Sequence, residues 1–325
     1  MLDFDWVQAN AECFYAESKL FVAVLSKGER VVGIAPLARC KRDGIPWLEL
    51  IGASATYEAG GFLYDTLDDL RLLLVGIWQL GHPIALEKVA FGGLSHPSTG
   101  PRVRKAGLFL YPGRPSVPKL ELSGTWPDYY ASMSSQRRYD YRRSNRRLKE
   151  GGLITVDFER PSVDSLEKSL LDAFSVESRS WKSTSGTAIL QSESMQRFLE
   201  LIACRYALNN ELVLGFLRVS GYPVAMQIGV LNRNRYWILK IGYDSEWARA
   251  SPGNYLMTEA IRFAFDQGLD GVEFLGSSEP WLRAWTTDAH EFHNVLYFPF
   301  STAGVTNLLS LAGRAVTARC CGSRA

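Results

Sequence analysis

The stretch from Leu212 to Leu275 constrains the fold more than any other. Three β-rich runs, a turn, a long apolar helix and a fourth β-rich run follow one another with little loop between them. The first three runs form a meander from Leu212 to Tyr243, with turns expected at Ser220-Gly221 and Asn232-Arg-Asn234. The helix opens in Trp247-Ala-Arg-Ala-Ser-Pro-Gly-Asn-Tyr-Leu256, where Ser251 suits the N-cap and Pro252 the first helical position. Gly253 and Asn254 then present backbone N–H groups without intrahelical partners, which makes the turn an anion-friendly cradle. Gly268 stops the helix, and Gly271-Val-Glu-Phe-Leu275 reads as the next strand.

The first half repeats this plan more loosely. Leu20 to Leu37 is a hairpin about Ser26-Lys-Gly-Glu29, and a third run, Ile45 to Gly52, leads into a small-residue loop ending at Gly61. A helix is expected over 65–81, with short strands at Lys88–Phe91 and Gly107–Tyr111. Trp126 to Gly151 reads as one helix, because Tyr130, Met133, Arg137, Tyr141, Ser144 and Leu148 recur at three- and four-residue steps. Further helices are expected over 163–179 and 193–208. The fold class is therefore α/β (α+β), with two similar domains in tandem, each a mixed and mostly antiparallel sheet flanked by helices. Gly151-Gly152 sets the expected boundary, giving domains at 1–150 and 151–325.

A chain of 325 residues is long enough for two hydrophobic cores, and a net charge of +2 makes no global demand for a nucleic-acid partner. The cysteines Cys13, Cys40, Cys204, Cys320 and Cys321 lack C-x-x-C spacing, and the first residues lack a basic segment followed by an apolar run. A reduced, cytoplasmic protein is the expectation. No apolar run approaches the 18 or so residues of a membrane-spanning helix. The last segment, from Thr302, has Leu308, Leu309, Ala312 and Val316 at helical spacing and is expected to dock on its own chain.

Five ordered motifs resemble one known family. Ser134-Ser-Gln-Arg-Arg-Tyr-Asp-Tyr-Arg-Arg-Ser-Asn-Arg-Arg-Leu148, Glu177-Ser-Arg-Ser-Trp-Lys182, Gly186-Thr-Ala188, Lys240-Ile-Gly-Tyr-Asp244 and Ser251-Pro-Gly253 are similar to the cellulose-biosynthesis-associated (CelD/BcsL-like) acetyltransferases. These belong to the GNAT superfamily and are related to FemX-type aminoacyl transferases. The resemblance implies an acyltransferase that moves an acyl group, acetyl first of all, from acyl-CoA to an amine or hydroxyl of a small metabolite, amino acid or sugar. It also implies direct transfer, with the acceptor in a cleft between the domains. Two departures stand out. Arg249 lies four residues before Gly253 and Tyr255 takes the second small-residue position of the GNAT pyrophosphate signature; Leu282 stands where relatives often carry lysine.

Acyl transfer to an amine needs a held donor tail, a polarised carbonyl and a route for a proton. Arg249, Ser251, Gly253 and Asn254 are the donor-binding candidates. Lys240, on an apolar central strand, is either a snorkelling lysine or a contact to substrate, while Asp244 and Glu279 are candidate proton acceptors that equally suit turn caps. Trp181 and Lys182 suit an acceptor pocket or the core. Gln227, beside small Ala225 and Gly229, has room for a ligand, and Tyr243 follows Lys240 in the same motif. Tyr57 and Glu58 sit in the small-residue loop, where relatives tend to place an acidic residue towards the acceptor. No metal is expected, because His290 and His293 have helix-compatible spacing but no third ligand nearby.

The segment 126–150 carries six arginines against the acids Asp128, Asp140 and Glu150. A solvated face is the common meaning of such a run, and a track for tRNA phosphates the functional one. An aminoacyl-tRNA-dependent, amide-forming transferase is therefore the rival enzyme, and a non-catalytic interaction protein the third reading. Arg137 differs from its neighbours by lying on the apolar stripe, which predicts a structural ion pair or a reach into a cleft.

Overall fold

A computed structural model describes residues 4–16, 19–42, 44–91, 106–180, 189 and 192–322, with side chains up to residue 313. The chain begins α1 (Phe4–Phe14), β1 (Leu20–Lys27), β2 (Arg30–Arg42), β3 (Ile45–Leu50), α2 (Ala53–Thr56), β4 (Leu63–Tyr64), α3 (Leu67–Trp78), β5 (Ile84–Val89) and β6 (Gly107–Leu110). There follow β7 (Ser116–Glu121), α4 (Trp126–Ser132), α5 (Ser135–Glu150), β8 (Ile154–Glu159), α6 (Val163–Ser178) and α7 (Glu193–Leu208). The meander is β9 (Leu212–Val219), β10 (Tyr222–Asn232) and β11 (Arg235–Tyr243). It leads through a 3₁₀ turn (Ser245–Ala250) to α8 (Pro252–Asp266) and β12 (Gly271–Glu273). A second 3₁₀ turn (Pro280–Ala284), β13 (Ala289–Glu291), β14 (His293–Pro299) and α9 (Thr302–Gly322) complete it.

Two compact units result, residues 1–116 with 291–325, and residues 117–290. The division differs from the one expected at Gly151, and strand pairing explains why. β7 joins β12 in the second sheet, and β14 returns to lie between β5 and β6 in the first. The first sheet has the order β1-β2-β3-β5-β14-β6, with β4 on β2; the second has β13-β7-β12-β11-β10-β9-β8.

In the first unit the Thr66 side chain caps α3 by accepting from the Asp69 N–H, and Leu70, Leu73, Leu74 and Ile77 recur on its inner face. They pack with Leu37, Leu48, Leu50, Trp78 and Tyr297. The start of α9 docks on this unit: Leu308 packs near Trp47 and Phe298, and Asn307 Nδ2 donates to Pro46 O at 2.9 Å. Among the described residues no helix is long and apolar enough to cross a membrane.

In the second unit Met257, Ala260, Ile261 and Ala264 of α8 cover Val213, Tyr236, Ile238 and Val272 of the sheet. Each large side chain buried this way contributes roughly 1.5–3 kcal/mol. The helix expected over 126–151 is two helices. Met133 adopts extended ψ (146°), and the Ser134 side chain accepts from the Arg137 N–H, so a new N-cap interrupts the periodic stripe.

One irregularity positions the site. In the β10–β11 ladder Ile228 pairs with Lys240 and Gly229 with Ile238, leaving Leu239 as an extra residue. The bulge resets the alternation, so Ile241 follows Ile238 onto the core beneath α8 and Tyr243 packs with Tyr255 and Leu256. Lys240 and Gly242 take the opposite face, where a Cβ on Gly242 would stand 3.2 Å from Glu177 of α6. β12 then pairs in parallel with β11 only over Arg235–Trp237. The β12 pairing does not extend along β11 beyond Trp237.

Candidate functional site

The start of α8 organises the site. Ser251 adopts left-handed backbone (φ 53°, ψ 52°) and makes no side-chain cap, so its expected N-cap bond is absent. A cap of that kind needs extended backbone at the N-cap residue, which the 3₁₀ turn before it does not deliver. Pro252 begins the helix as expected. The Tyr255 N–H bonds back to Ser251 O at 3.1 Å, leaving the N–H groups of Gly253 and Asn254 without partners among the described residues.

Two cavities flank this turn, and Asn254 lines both. The smaller, about 310 Å³, is walled by Met226, Ile241, Tyr243, Leu256, Met257 and Trp281. Gln227, like Ser180, is a buried polar group of its lining, 2% exposed. Its Nε2 lies 3.8 Å from Met257 Sδ, a weak contact, and its Oε1 has no hydrogen-bond partner among the described residues. Gly253 keeps α8 close to β11, since a Cβ there would stand 3.2 Å from the Tyr243 ring.

The larger cavity, about 610 Å³, lies among α4, α5, the start of α8 and residues 283–285. Ser134, Arg137, Arg143, Ser251, Arg283 and Trp285 are among its lining. Tyr141 stacks on Tyr255 with ring centroids 5.0 Å apart and donates its hydroxyl to Glu259. Burial and that carboxylate push the Tyr141 phenol far above its ordinary range. Sequence reasoning named Arg137 for its place on an apolar stripe, and it does reach a cavity. Tyr129, Trp281, Trp285 and Met257 were missed as lining residues, because large apolar side chains at helical spacing read as core.

Ser251, Gly253, Asn254, Gln227 and Tyr243 are thus brought together around the two cavities. Lys240, half-buried on the opposite sheet face, lines neither and has no polar partner among the described residues. Asp244 is not a free proton acceptor. Buried to 2% exposure, it pairs with Arg179 Nε at 2.7 Å and accepts from the Glu246 N–H, capping the 3₁₀ turn. Arg249 is exposed and contributes its carbonyl to Arg147. Glu279 is exposed at the start of the turn that carries Trp281. Tyr57 and Glu58 belong to the first unit, where Tyr57 has φ 58° and its carbonyl accepts from Lys88 Nζ. Trp181, Lys182 and the Gly186-Thr-Ala188 motif lie outside the described residues.

His290 and His293 stand on consecutive strands instead of a helix, and His290 Nε2 meets Glu273 at 3.0 Å. No cluster of three or more His, Cys, Asp or Glu side chains able to hold a metal occurs among the described residues. The basic run on α5 is partly spent on its own chain: Arg138 donates to the carbonyls of Ala131 and Met133, Arg147 to that of Arg249, and Arg143 pairs with Asp140.

Residues 135–283 match a family model described as Acetyltransferase (GNAT) domain. Among solved structures the chain is similar to FemX, with TM-score 0.54, 9% identity and 91% of each chain covered. It is also similar to the C-terminal domain of a protein assigned as a lysylphosphatidylglycerol synthetase of Agrobacterium fabrum (TM-score 0.53, 10% identity, 93% and 90% covered). L-PGS from Bacillus licheniformis gives TM-score 0.51 at 11% identity, with 95% and 96% covered. Comparison with curated protein sequences finds no match. At these identities the likeness is one of fold, two mixed sheets flanked by helices, and the stretch 135–283 that matches the family model contains the start of α8 and most of the lining of both cavities.

Proposed function

We propose that the protein is an acyltransferase that takes an acyl group, acetyl first of all, from acyl-CoA and passes it to an amine or hydroxyl of a small acceptor. One observation carries this reading. Asn254, whose N–H is unpaired among the described residues, lines both a polar, arginine-bearing cavity and a mostly apolar one, and Gly253 beside it lines the second. An acyl-CoA has the same polarity along its length, with phosphates at one end and a thioester at the other. When bound, it would supply an activated carbonyl. The helix start would hold phosphate oxygens, and the mostly apolar smaller cavity would take the thioester arm.

Gln227 would give the smaller cavity a buried hydrogen-bonding group whose oxygen has no partner among the described residues. Glu279, exposed beside Trp281, is the carboxylate proposed to take the acceptor's proton, directly or through water. Lys240, Trp181 and Lys182 are the further proposed contacts to the acceptor. The cellulose-biosynthesis-associated subfamily is the finer assignment that the motifs at 134–148, 240–244 and 251–253 favour.

Calorimetric titration with acetyl-CoA, free CoA and a long-chain acyl-CoA tests the reading. Gly253→Glu places a carboxylate in the first turn of α8, where the helix dipole favours it, at the cost of a few tenths of an ångström of movement by the Tyr243 ring; in the variant whose circular dichroism and melting match the parent, phosphates are repelled. Donor affinity should fall at least about tenfold, a loss of about 1.4 kcal/mol. Unchanged tight binding would show that the donor sits elsewhere. The aminoacyl-tRNA reading keeps one supporting observation, the exposed Arg142 and Arg146 on α5. Turnover with acetyl-CoA that survives ribonuclease would exclude it.

A further inference from the structure

The larger cavity contains a charged group for which the described residues supply no counter-charge. Arg137 projects from the first turn of α5, and its guanidinium carbon lies 4.9 Å from the Trp285 ring centroid and 5.9 Å from that of Tyr129. Nη1 donates to the Ala284 carbonyl, which fixes the plane of the group. Nε and Nη2 are buried and have no hydrogen-bond partner among the described residues. Nor does any described carboxylate pair with Arg137.

Two neighbours share this condition. The indole N–H of Trp285, a residue only 7% exposed, is buried without a partner among the described residues, and the buried Tyr129 hydroxyl has none there besides the Arg137 guanidinium itself. All three residues line the cavity. Its charged lining is Arg137, Arg143 and Arg283 against Asp140, and Asp140 is already engaged by Arg143 at 2.9 Å.

An uncompensated buried ion carries a penalty of several kcal/mol, and burial holds the Arg137 guanidinium below its ordinary range. Two flanking rings contribute cation–π attraction but leave the N–H groups unsatisfied. An oxyanion would satisfy both charge and donors, because the guanidinium fork matches two oxygens of one acid group. Donors from three side chains, with the Ser134 and Ser251 residues and the Asn254 backbone on the same lining, suit a tetrahedral group better than a planar carboxylate.

We infer that Arg137, Trp285 and Tyr129 form an oxyanion subsite in the larger cavity, built to hold a phosphate group. Resting on the acyl-CoA reading, this phosphate belongs to the nucleotide end of the donor; a phosphodiester near the 3′ end of an RNA offers the same chemistry. The subsite adds side-chain recognition, from a helix that precedes the whole meander, to the backbone donors at the start of α8.

The test titrates the full chain with inorganic pyrophosphate, CoA, dephospho-CoA and a short RNA ending in CCA, following heat and tryptophan fluorescence. Pyrophosphate should bind the parent protein and perturb its fluorescence. Arg137→Gln should weaken it about tenfold or more, as expected for charge-assisted hydrogen bonds. Arg137→Lys should restore part of the loss, and Trp285→Phe, which keeps a ring but drops the N–H, should weaken it several-fold. If Arg137→Gln does not fold, Trp285→Phe decides. Parental affinity for pyrophosphate and CoA in every folded variant would overturn the subsite. Loss of CoA binding in Gly253→Glu but not in Arg137→Gln would retain the donor reading and remove the subsite. Weakened pyrophosphate binding in Arg137→Gln, in a protein that binds the RNA and no CoA, would retain the subsite and remove the donor reading.

Discussion

Replacing Gln227 by methionine should make the protein more stable and a poorer binder of its ligands. The side chain is 2% exposed, its Oε1 lacks a partner among the described residues, and its Nε2 has only the 3.8 Å contact to a thioether. Leaving a buried acceptor unsatisfied costs about 1–3 kcal/mol, and replacing it with an apolar group of similar shape recovers part of that. Methionine has nearly the same length and adapts its rotamers to the site, between the opposing Gly215 and Met257. Taking about 1 kcal/mol as recovered, the unfolding midpoint should rise by roughly 2–4 °C. The same change removes a buried hydrogen-bonding side chain of the smaller cavity, so acetyl-CoA or acceptor affinity should fall about tenfold if that amide meets a ligand. Differential scanning calorimetry and isothermal titration read the two effects separately. A lower midpoint with unchanged affinity would refute the reasoning and make Gln227 a structural hydrogen-bonding residue.

The remaining predictions concern stability. Asp244→Asn removes the charge that holds Arg179 and should destabilise the fold by roughly 3 kcal/mol, the low end for breaking a buried pair because Arg179 stays partly exposed. Urea unfolding measures it; unchanged stability together with lost turnover would return Asp244 to the chemistry. Hydrogen bonds from Arg235 and Lys119 hold the Glu121 carboxyl at about 2, below its ordinary 4.5. Its folded form therefore favours the ionised group, so the stabilisation is present above about pH 4.5 and is lost as the pH falls towards 2. Glu121→Gln should flatten this acid limb. The difference should shrink in high salt, because the side chain is 49% exposed; identical limbs would count against the assignment.

Local patterns predicted local structure well. The Leu212–Tyr243 meander, α3, and the hairpin of β1 and β2 follow from alternation, apolar periodicity and glycine turns, and each lies where the sequence reading puts it. Pairing between distant segments was not legible. Nothing in His293–Pro299 announces that it lies between β5 and β6, and nothing in Ser116–Glu121 announces its place beside β12. The break at Met133 was hidden because the apolar stripe continues in register across it, while Ser134 acts as a cap within an otherwise periodic run. At the site, Gly253 and Asn254 were readable as a helix start, and Gln227 as a polar residue among small neighbours. The left-handed turn at Ser251 was not, since Ser-Pro-Gly suits an ordinary cap equally well. Trp285 and Tyr129 contribute through single polar atoms on side chains whose bulk reads as core.

The position of β14 sets an order of events during synthesis. Every strand and helix of the unit 117–290 has been made before residues 293–299 exist, and its ladders can close while the chain is still growing. The first sheet has to wait. Until β14 arrives, β5 lacks its antiparallel partner and β6 has none in the sheet, so both expose unpaired edges for the time it takes to translate everything between them. The sheet whose first strand begins at Leu20 is therefore closed only by a strand that ends at Pro299.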